Sequence, residues 1–310
     1  FQASLSANPA STACPRTIAG LFFCMGEIPC KELIDRERYP IDKPDNPVRA
    51  AVIARTRESL REDGCAVIRG FFGCAGLQAL RDEALARVDQ AYYSANTACN
   101  VYLGDGNSER ADDHPQNIFL ERTNGFVPAD TYGEDTVSRR FYAWPPLKNF
   151  IADCLGKDEL FVYEDPVSNM IVNVCRPGEQ FNWHFDTNEF TITMLLQSAQ
   201  TGGYFEYVPN LRNPDDECYG AVKRVLDGDR SGVKRLRLEA GDLQLFLGRF
   251  SLHRVTRNTG GQDRLVLIMS FAERAGMVGN RVRVRDLYGK TAAIHENETE
   301  RPVRVDGLLD

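Results

Sequence analysis

The sequence is short of histidine and tryptophan, with four and two respectively, and it has no two cysteines at C-x-x-C spacing. Each scarcity excludes something. Without C-x-x-C there is no zinc-finger spacing. The nine cysteines, at 14, 24, 30, 65, 74, 99, 154, 175 and 218, are odd in number and scattered. They read as free thiols of a reducing cytoplasm rather than as a disulfide framework. No H-E-x-x-H stretch occurs, so the zinc-protease helix with its adjacent general base is absent. No apolar run approaches the roughly 18 residues of a membrane span. The nearest, Ile18–Met25, has neither a basic cluster before it nor a small-residue cleavage site after it, which argues against a signal peptide. Positive charge is also in short supply: the net charge is −7, which argues against a general nucleic-acid or anionic-membrane partner. The basic stretches Lys223–Arg237 and Arg281–Arg285 read as solvated faces. Internal repeats and low-complexity tracts are missing.

What remains is ordinary globular material, 310 residues with 43% hydrophobic and 26% charged, enough for one large core. Residues 1–47 read as an N-terminal extension, polar to about residue 16 and then broken by Pro29, Pro40, Pro44 and Pro47. Residues 48–310 read as a single catalytic domain. Within it, 48–95 is a helical buttress: a helix after Pro47 that Gly64 ends, a strand over CAVIRGFF, and a second amphipathic helix through Leu77, Leu80, Ala84, Val88 and Tyr92. The polar, Gly- and Asp-rich stretch 96–140 reads as lid-like loops, and a helix about Leu147–Leu155 follows. Residues 160–273 form a β-rich core that opens with strands at Leu160–Tyr163 and Met170–Val174, and that a polar insertion at Asn213–Gly232 interrupts. The charged tail is 274–310, and its Asp286-Leu-Tyr-Gly is expected to dock near the mouth of a site.

Chemistry concentrates in Asn182–Gln197, NWHFDTNEFTITMLLQ. On an extended strand His184 and Asp186 point to one face and Phe185 to the other. A second imidazole, His253, lies on another strand-like run downstream. Two imidazoles and a carboxylate leave one side of an octahedral metal open, as in non-haem Fe(II) oxygenases, although catalytic zinc sites also use two His and a carboxylate. The other two histidines, His114 and His295, read as structural.

The order H-x-D, then GG-x-F-E-[YF] at Gly202–Tyr207, a GD turn leading into L-x-L-F, then HRV, then an arginine about 11 residues on, resembles the iron(II)/2-oxoglutarate-dependent oxygenases. The segment HFDTNEF and the run GGYFEYVP are similar to the subgroup acting on free amino acids, hydroxylases related to the amino-acid halogenases. The resemblance spans about 169–273. It implies a mainly β fold with flanking helices, a double-stranded β-helix of the jelly-roll or cupin kind. It implies that His184, Asp186 and His253 bind Fe(II), and that Arg264 grips the distal carboxylate of 2-oxoglutarate, for which a guanidinium offers two parallel hydrogen bonds. Arg254 and Arg257 are the alternates. Arg254 adjoins a presumed ligand and so faces away from the metal, and Arg257 lies in a turn. The chemistry so implied consumes O2 and 2-oxoglutarate, releases succinate and CO2, and hydroxylates an unactivated C–H of a small molecule. Halogenases on this scaffold resemble the hydroxylases but have Gly or Ala in place of the carboxylate, so the presence of Asp186 disfavours halogenation.

Several readings stay open beside this one. Desaturation or cyclisation uses the same ligands, the substrate is alternatively a protein side chain, and a zinc-binding or non-catalytic barrel is the remaining choice. For a free amino acid, whose two charges each need a buried partner, Glu121, Arg122 and Asn188 are the candidate substrate contacts. Oligomeric state is not legible.

Overall fold

A computed structural model describes residues 28–296 and 306–309. The N-terminal tail and the Ile18–Met25 stretch lie outside the described residues.

The architecture is two antiparallel sheets facing one another. The larger has six strands in the order Cys65–Ile68, Leu243–Phe246, Thr191–Gln197, Arg264–Met269, Met170–Cys175 and Gly125–Val127. The smaller runs Lys234–Leu236, Phe205–Val208, Leu252–Val255 and Phe181–His184. From Met170 onward the chain passes back and forth between the sheets, with Phe205–Val208 and Lys234–Leu236 forming a hairpin within the smaller, which is the winding of a double-stranded β-helix. The period-two geometry of a strand assigns every side chain of the large sheet to one of two faces. Met170, Val172, Val174, Ile192, Met194, Leu196, Leu243, Leu245, Leu265, Leu267 and Met269 point outward into the main core. Their alternates, among them Asn173, Thr193, Gln244, Arg264 and Val266, line a cavity between the sheets.

Helices cover the outer face. Pro47–Asp63 begins at Asn46, whose side chain accepts from the Val48 amide. It ends at Gly64, which turns into the left-handed region at φ 59°, a conformation that costs a β-carbon-bearing residue about 1 kcal/mol. Cys74–Leu85 and Pro145–Leu155 complete the layer, burying Leu80, Leu147, Phe150 and Ile151. The small sheet is covered on its outer face by Tyr219–Leu226, whose Val222 and Val225 pack with Trp183, Phe185 and Leu252.

Four local expectations give way to tertiary contacts. The second helix stops at Leu85 instead of reaching Tyr92, because Tyr92 exchanges both backbone hydrogen bonds with Phe126 (2.9 and 3.0 Å), which no helical residue can do. Residues 96–140 are not uniformly loop: Gly125–Val127 is a buried edge strand of the large sheet, and Val137–Tyr142 is a short helix whose first amides are capped by Glu83. Phe161–Val162 does not join the barrel but forms a ribbon with Phe271–Ala272. The insertion at 213–232 contains the amphipathic helix just described. Its polar composition comes from the exposed side, while two valines carry the packing.

Candidate metal centre and adjoining cavity

His184 ends one strand of the small sheet and His253 occupies the neighbouring strand directly opposite, so antiparallel pairing brings the two imidazoles to a centroid separation of 4.1 Å. Between Phe181 and His184 the strand carries one extra residue relative to its partner, since Val255 pairs with Phe181 and His253 with His184. Such a bulge shifts the alternation by one position. Phe181 therefore lies on the same face as His184, and its ring stacks on the imidazole at 3.6 Å and 8°. Phe246 meets His253 edge-on at 4.8 Å. The two imidazoles thus have apolar walls that exclude water.

Phe185 turns outward into the core behind the small sheet, and Asp186 turns inward. Its Oδ1 lies 3.9 Å from His184 Nε2 and 3.4 Å from His253 Nε2. The three potential ligand atoms all fall within 4.8 Å of one another, a spacing one cation can span. Each imidazole is oriented through its other nitrogen: His184 Nδ1 donates to the Asn182 carbonyl (2.7 Å) and His253 Nδ1 to the Ser251 carbonyl (3.0 Å). That pairing leaves both Nε2 lone pairs directed at the same point, the tautomer a metal requires. Burial, reinforced by the nearby His253, pushes His184 down to about 3, which keeps it neutral. Burial works against ionisation of Asp186, but His253 and His184 beside it and the Thr191 hydroxyl, donating to Oδ2 at 2.6 Å, outweigh that effect and hold the carboxyl below its ordinary range. Two imidazoles and one carboxylate on one side of a point suit Fe(II) with open positions for further ligands.

Two residues that the sequence did not single out hold Asp186 in place. Thr191 is one. Gly248 is the other: its carbonyl accepts from the Asp186 amide at 3.1 Å, and a β-carbon on it would fall 2.6 Å from Asp186 Cγ and 2.9 Å from Cβ. Gly248 has no local signature, because its contact joins two segments about 60 residues apart, whereas Thr191 lies only five residues beyond Asp186.

The cavity that the triad opens into has a volume of about 200 Å³. Apolar and polar side chains line it in about equal measure, with Arg264 and Asn173 among the polar ones. Arg264 is 5% exposed, and among the described residues no protein acceptor lies within hydrogen-bond reach of its guanidinium. A buried cation without a counter-charge costs several kcal/mol, so the donor chemistry of this end of the cavity fits the carboxylate of a small organic acid such as 2-oxoglutarate. The β-carbon position of Gly203, in the left-handed region at φ 58°, lies 3.1 Å from Arg264 Cδ, so the second glycine of the GG-x-F-E motif is where the chain makes room for the arginine stem. The other two arginines are engaged elsewhere. Arg254 faces away from the cavity, holds Glu206 at 2.7 and 2.9 Å and lies over Trp183. Arg257 is bound to Glu121 at 2.5 Å and to the Gly178 carbonyl.

Of the candidate substrate contacts, Asn188 lines the cavity and also an adjoining vestibule of about 630 Å³. Arg122 is buried, lines the vestibule and is paired with Asp286 at 2.8 Å. Glu121 lies outside both, on the surface, with its carboxylate between Arg257 and Gln180. The helix Arg281–Tyr288, which contains the Asp286-Leu-Tyr segment, forms one wall of both spaces through Arg283 and Leu287. His295 is fully buried and bonded to Asp165 at 2.9 Å, and His114 packs its ring on Tyr219; neither adjoins the triad.

Among the described residues no helix is long and apolar enough to cross a membrane. No curated protein matches the chain. Solved structures with a similar fold include a 2OG-Fe(II) oxygenase family oxidoreductase from Burkholderia pseudomallei, 14% identical over 73% of this chain and 92% of that one with a TM-score of 0.48. A Pseudomonas putida prolyl-4-hydroxylase is 15% identical over 70% and 97%, with a TM-score of 0.45. The epimerase SnoN, in complex with Fe3+, alpha ketoglutarate and nogalamycin RO, is 17% identical over 78% and 93%, with a TM-score of 0.49. The family model described as Halogenase D matches residues 48–283, a span that contains the helical layer, both sheets, the His184–Asp186–His253 cluster and Arg264. With most of its length matched and a ligand set suited to iron in place, the chain belongs to the Halogenase D family and is an iron(II)- and 2-oxoglutarate-dependent oxygenase.

Proposed function

We propose that this enzyme hydroxylates an unactivated C–H of a small molecule, a free amino acid or a close derivative, and does not halogenate it. The observation that carries the reading is Asp186. Halogenation on this scaffold needs the carboxylate position for a halide, and here that position is filled by a side chain held by Thr191 and seated against Gly248. The family description names a halogenase, so the distinction rests on this residue.

In this reading His184, Asp186 and His253 hold the iron, and Arg264 receives the distal carboxylate of 2-oxoglutarate. When bound, iron with 2-oxoglutarate and O2 supplies an oxidant able to remove hydrogen from an aliphatic carbon, with release of succinate and CO2. The protein's part is placement and exclusion. Phe181, Phe205 and Phe246 keep water from the two imidazoles. Arg264 fixes one end of the cosubstrate, and the vestibule beside Thr187 and Asn188 admits the substrate. A substrate amino acid would find polar partners there in Asn188 and in the Arg122–Asp286 pair, which combines a cation and an anion at the rim. Glu121, on the surface outside both spaces, would reach a substrate only after releasing Arg257.

Anaerobic addition of Fe(II) and 2-oxoglutarate, followed by a panel of free amino acids, tests the reading. A weak visible charge-transfer band that shifts with one amino acid, and a product heavier by one oxygen in chloride buffer, are expected. A band indifferent to every amino acid overturns the substrate class. A chlorinated product overturns the reaction outcome.

A further inference from the structure

Among the described residues the two largest fully buried side chains are both arginines, Arg212 and Arg249, and neither belongs to the ligand set. Arg249 follows Gly248, the residue packed against Asp186. Its Nη1 donates to the Thr187 carbonyl at 3.0 Å, and its remaining donors reach Asp306 (Nε to Oδ2, 2.7 Å, with Nη2 to Oδ1) and the Leu308 carbonyl (3.5 Å). Arg212 lies 4.0 Å over the ring of Phe185, the residue between the two ligands His184 and Asp186. It donates to the Arg249 carbonyl (2.6 Å), to Glu217 (2.8 Å) and to the Leu309 carbonyl (3.3 Å), and Glu217 in turn accepts from the Leu309 amide.

We infer that the segment Asp306–Leu309 is a positioning strap for the ligand loop His184–Asn188, acting through Arg249. The segment is remote in sequence from the metal ligands, yet its Asp306 pairs with one of two adjacent buried guanidiniums, Arg249, while Glu217 pairs with the other, Arg212. Those guanidiniums hold the backbone and the outward ring of the loop from behind, and Arg283 holds the Thr187 hydroxyl from the front. Without the Asp306 carboxylate the Arg249 guanidinium loses the acceptor that fixes its Nε and Nη2, and the donor to the Thr187 carbonyl is no longer held in place from behind. Asp186 and Asn188 flank that carbonyl, so the strap sets how firmly a metal ligand and a cavity-lining amide are held. Arg249 and Asp306 touch neither metal nor substrate, and they are positioning residues.

The test is hydrogen–deuterium exchange with mass spectrometry on the metal-free protein. In the unaltered chain, peptides covering 184–191 and 306–310 should open together, with the same dependence on low denaturant, as parts of one cooperative unit. Independent opening overturns the inference whether or not any variant folds. In Asp306→Asn, exchange across 184–191 should rise at least tenfold, and anaerobic Fe(II) titration should show affinity about tenfold weaker, in the range for partners that orient a ligand. Asp306→Glu, which keeps the charge, should recover most of both. Asp153→Asn removes the anion from another buried arginine, Arg49, far from the loop; it should lower the melting temperature without changing exchange at 184–191. If Asp306→Asn does no more than Asp153→Asn, the segment is a structural staple and the inference fails.

Discussion

Gly248→Ala isolates the contact on which the Asp186 reading depends. The alanine methyl would sit 2.6 Å from Asp186 Cγ and 2.9 Å from Cβ, where carbon–carbon contact needs about 3.5 Å. The carboxylate must therefore withdraw by roughly 1 Å, while metal–ligand distances tolerate only about 0.2 Å. The side chain cannot simply rotate in place, because Oδ2 is held by Thr191 and the Asp186 amide is bonded to the Gly248 carbonyl, tying the two backbones together. Fe(II) affinity should fall by about 10- to 100-fold, as it does when a ligand's supporting contacts are lost, while His184 and His253 stay in place. Anaerobic Fe(II) titration monitored by the charge-transfer band in saturating 2-oxoglutarate reads the loss, and Gly248→Ser should behave alike. Overpacking costs about 1–3 kcal/mol of stability, so circular dichroism is needed to show that the variant is folded. Folded Gly248→Ala protein with parental iron affinity would refute the claim that this close approach seats the carboxylate.

Further expectations follow from the same geometry. His184→Ala and His253→Ala should each abolish iron-dependent turnover, and normal turnover in either would remove the ligand assignment. Arg264→Ala should raise the 2-oxoglutarate concentration needed for half-maximal turnover by at least tenfold, a charge-assisted hydrogen bond being worth about 1.5–3 kcal/mol; Arg257→Ala, whose guanidinium is committed to Glu121 and Gly178, should leave it within about twofold. In metal-free protein the His184 ring should stay neutral well below its ordinary range, since burial and His253 push it down to about 3. The unfolded chain takes up that proton near pH 6.5, so this residue's contribution to stability is complete above that pH and is lost as the pH falls toward 3. An NMR titration midpoint near 6.5 in folded protein would contradict the burial argument. Leu267→Ala, deleting a fully buried side chain between sheet and helices, should cost about 2–5 kcal/mol by urea denaturation without changing iron affinity.

The sequence by itself determined the features that depend on chain-local geometry. Alternation along NWHFDT placed His184 and Asp186 on one face and Phe185 on the other, because a strand keeps its period-two pattern whatever it packs against. The helix after Pro47 and its stop at Gly64 were legible for the same reason: cap, proline and left-handed glycine act within a few residues. The order of strands around His253 and the arginine that follows carried the resemblance to the oxygenases and, with it, the β-helix. The helix ending at Leu85, the edge strand at Gly125–Val127 and the ribbon at Phe161–Val162 were decided by hydrogen bonds to segments distant in sequence, which no local pattern encodes. Only the tertiary structure could show that Gly248 seats Asp186, what Arg254 and Arg257 bind instead, and that Glu121 is turned to the surface. Each of these depends on which charges and methyls meet across sheets, and that meeting is settled by register, bulge and burial rather than by any residue's neighbours in the chain.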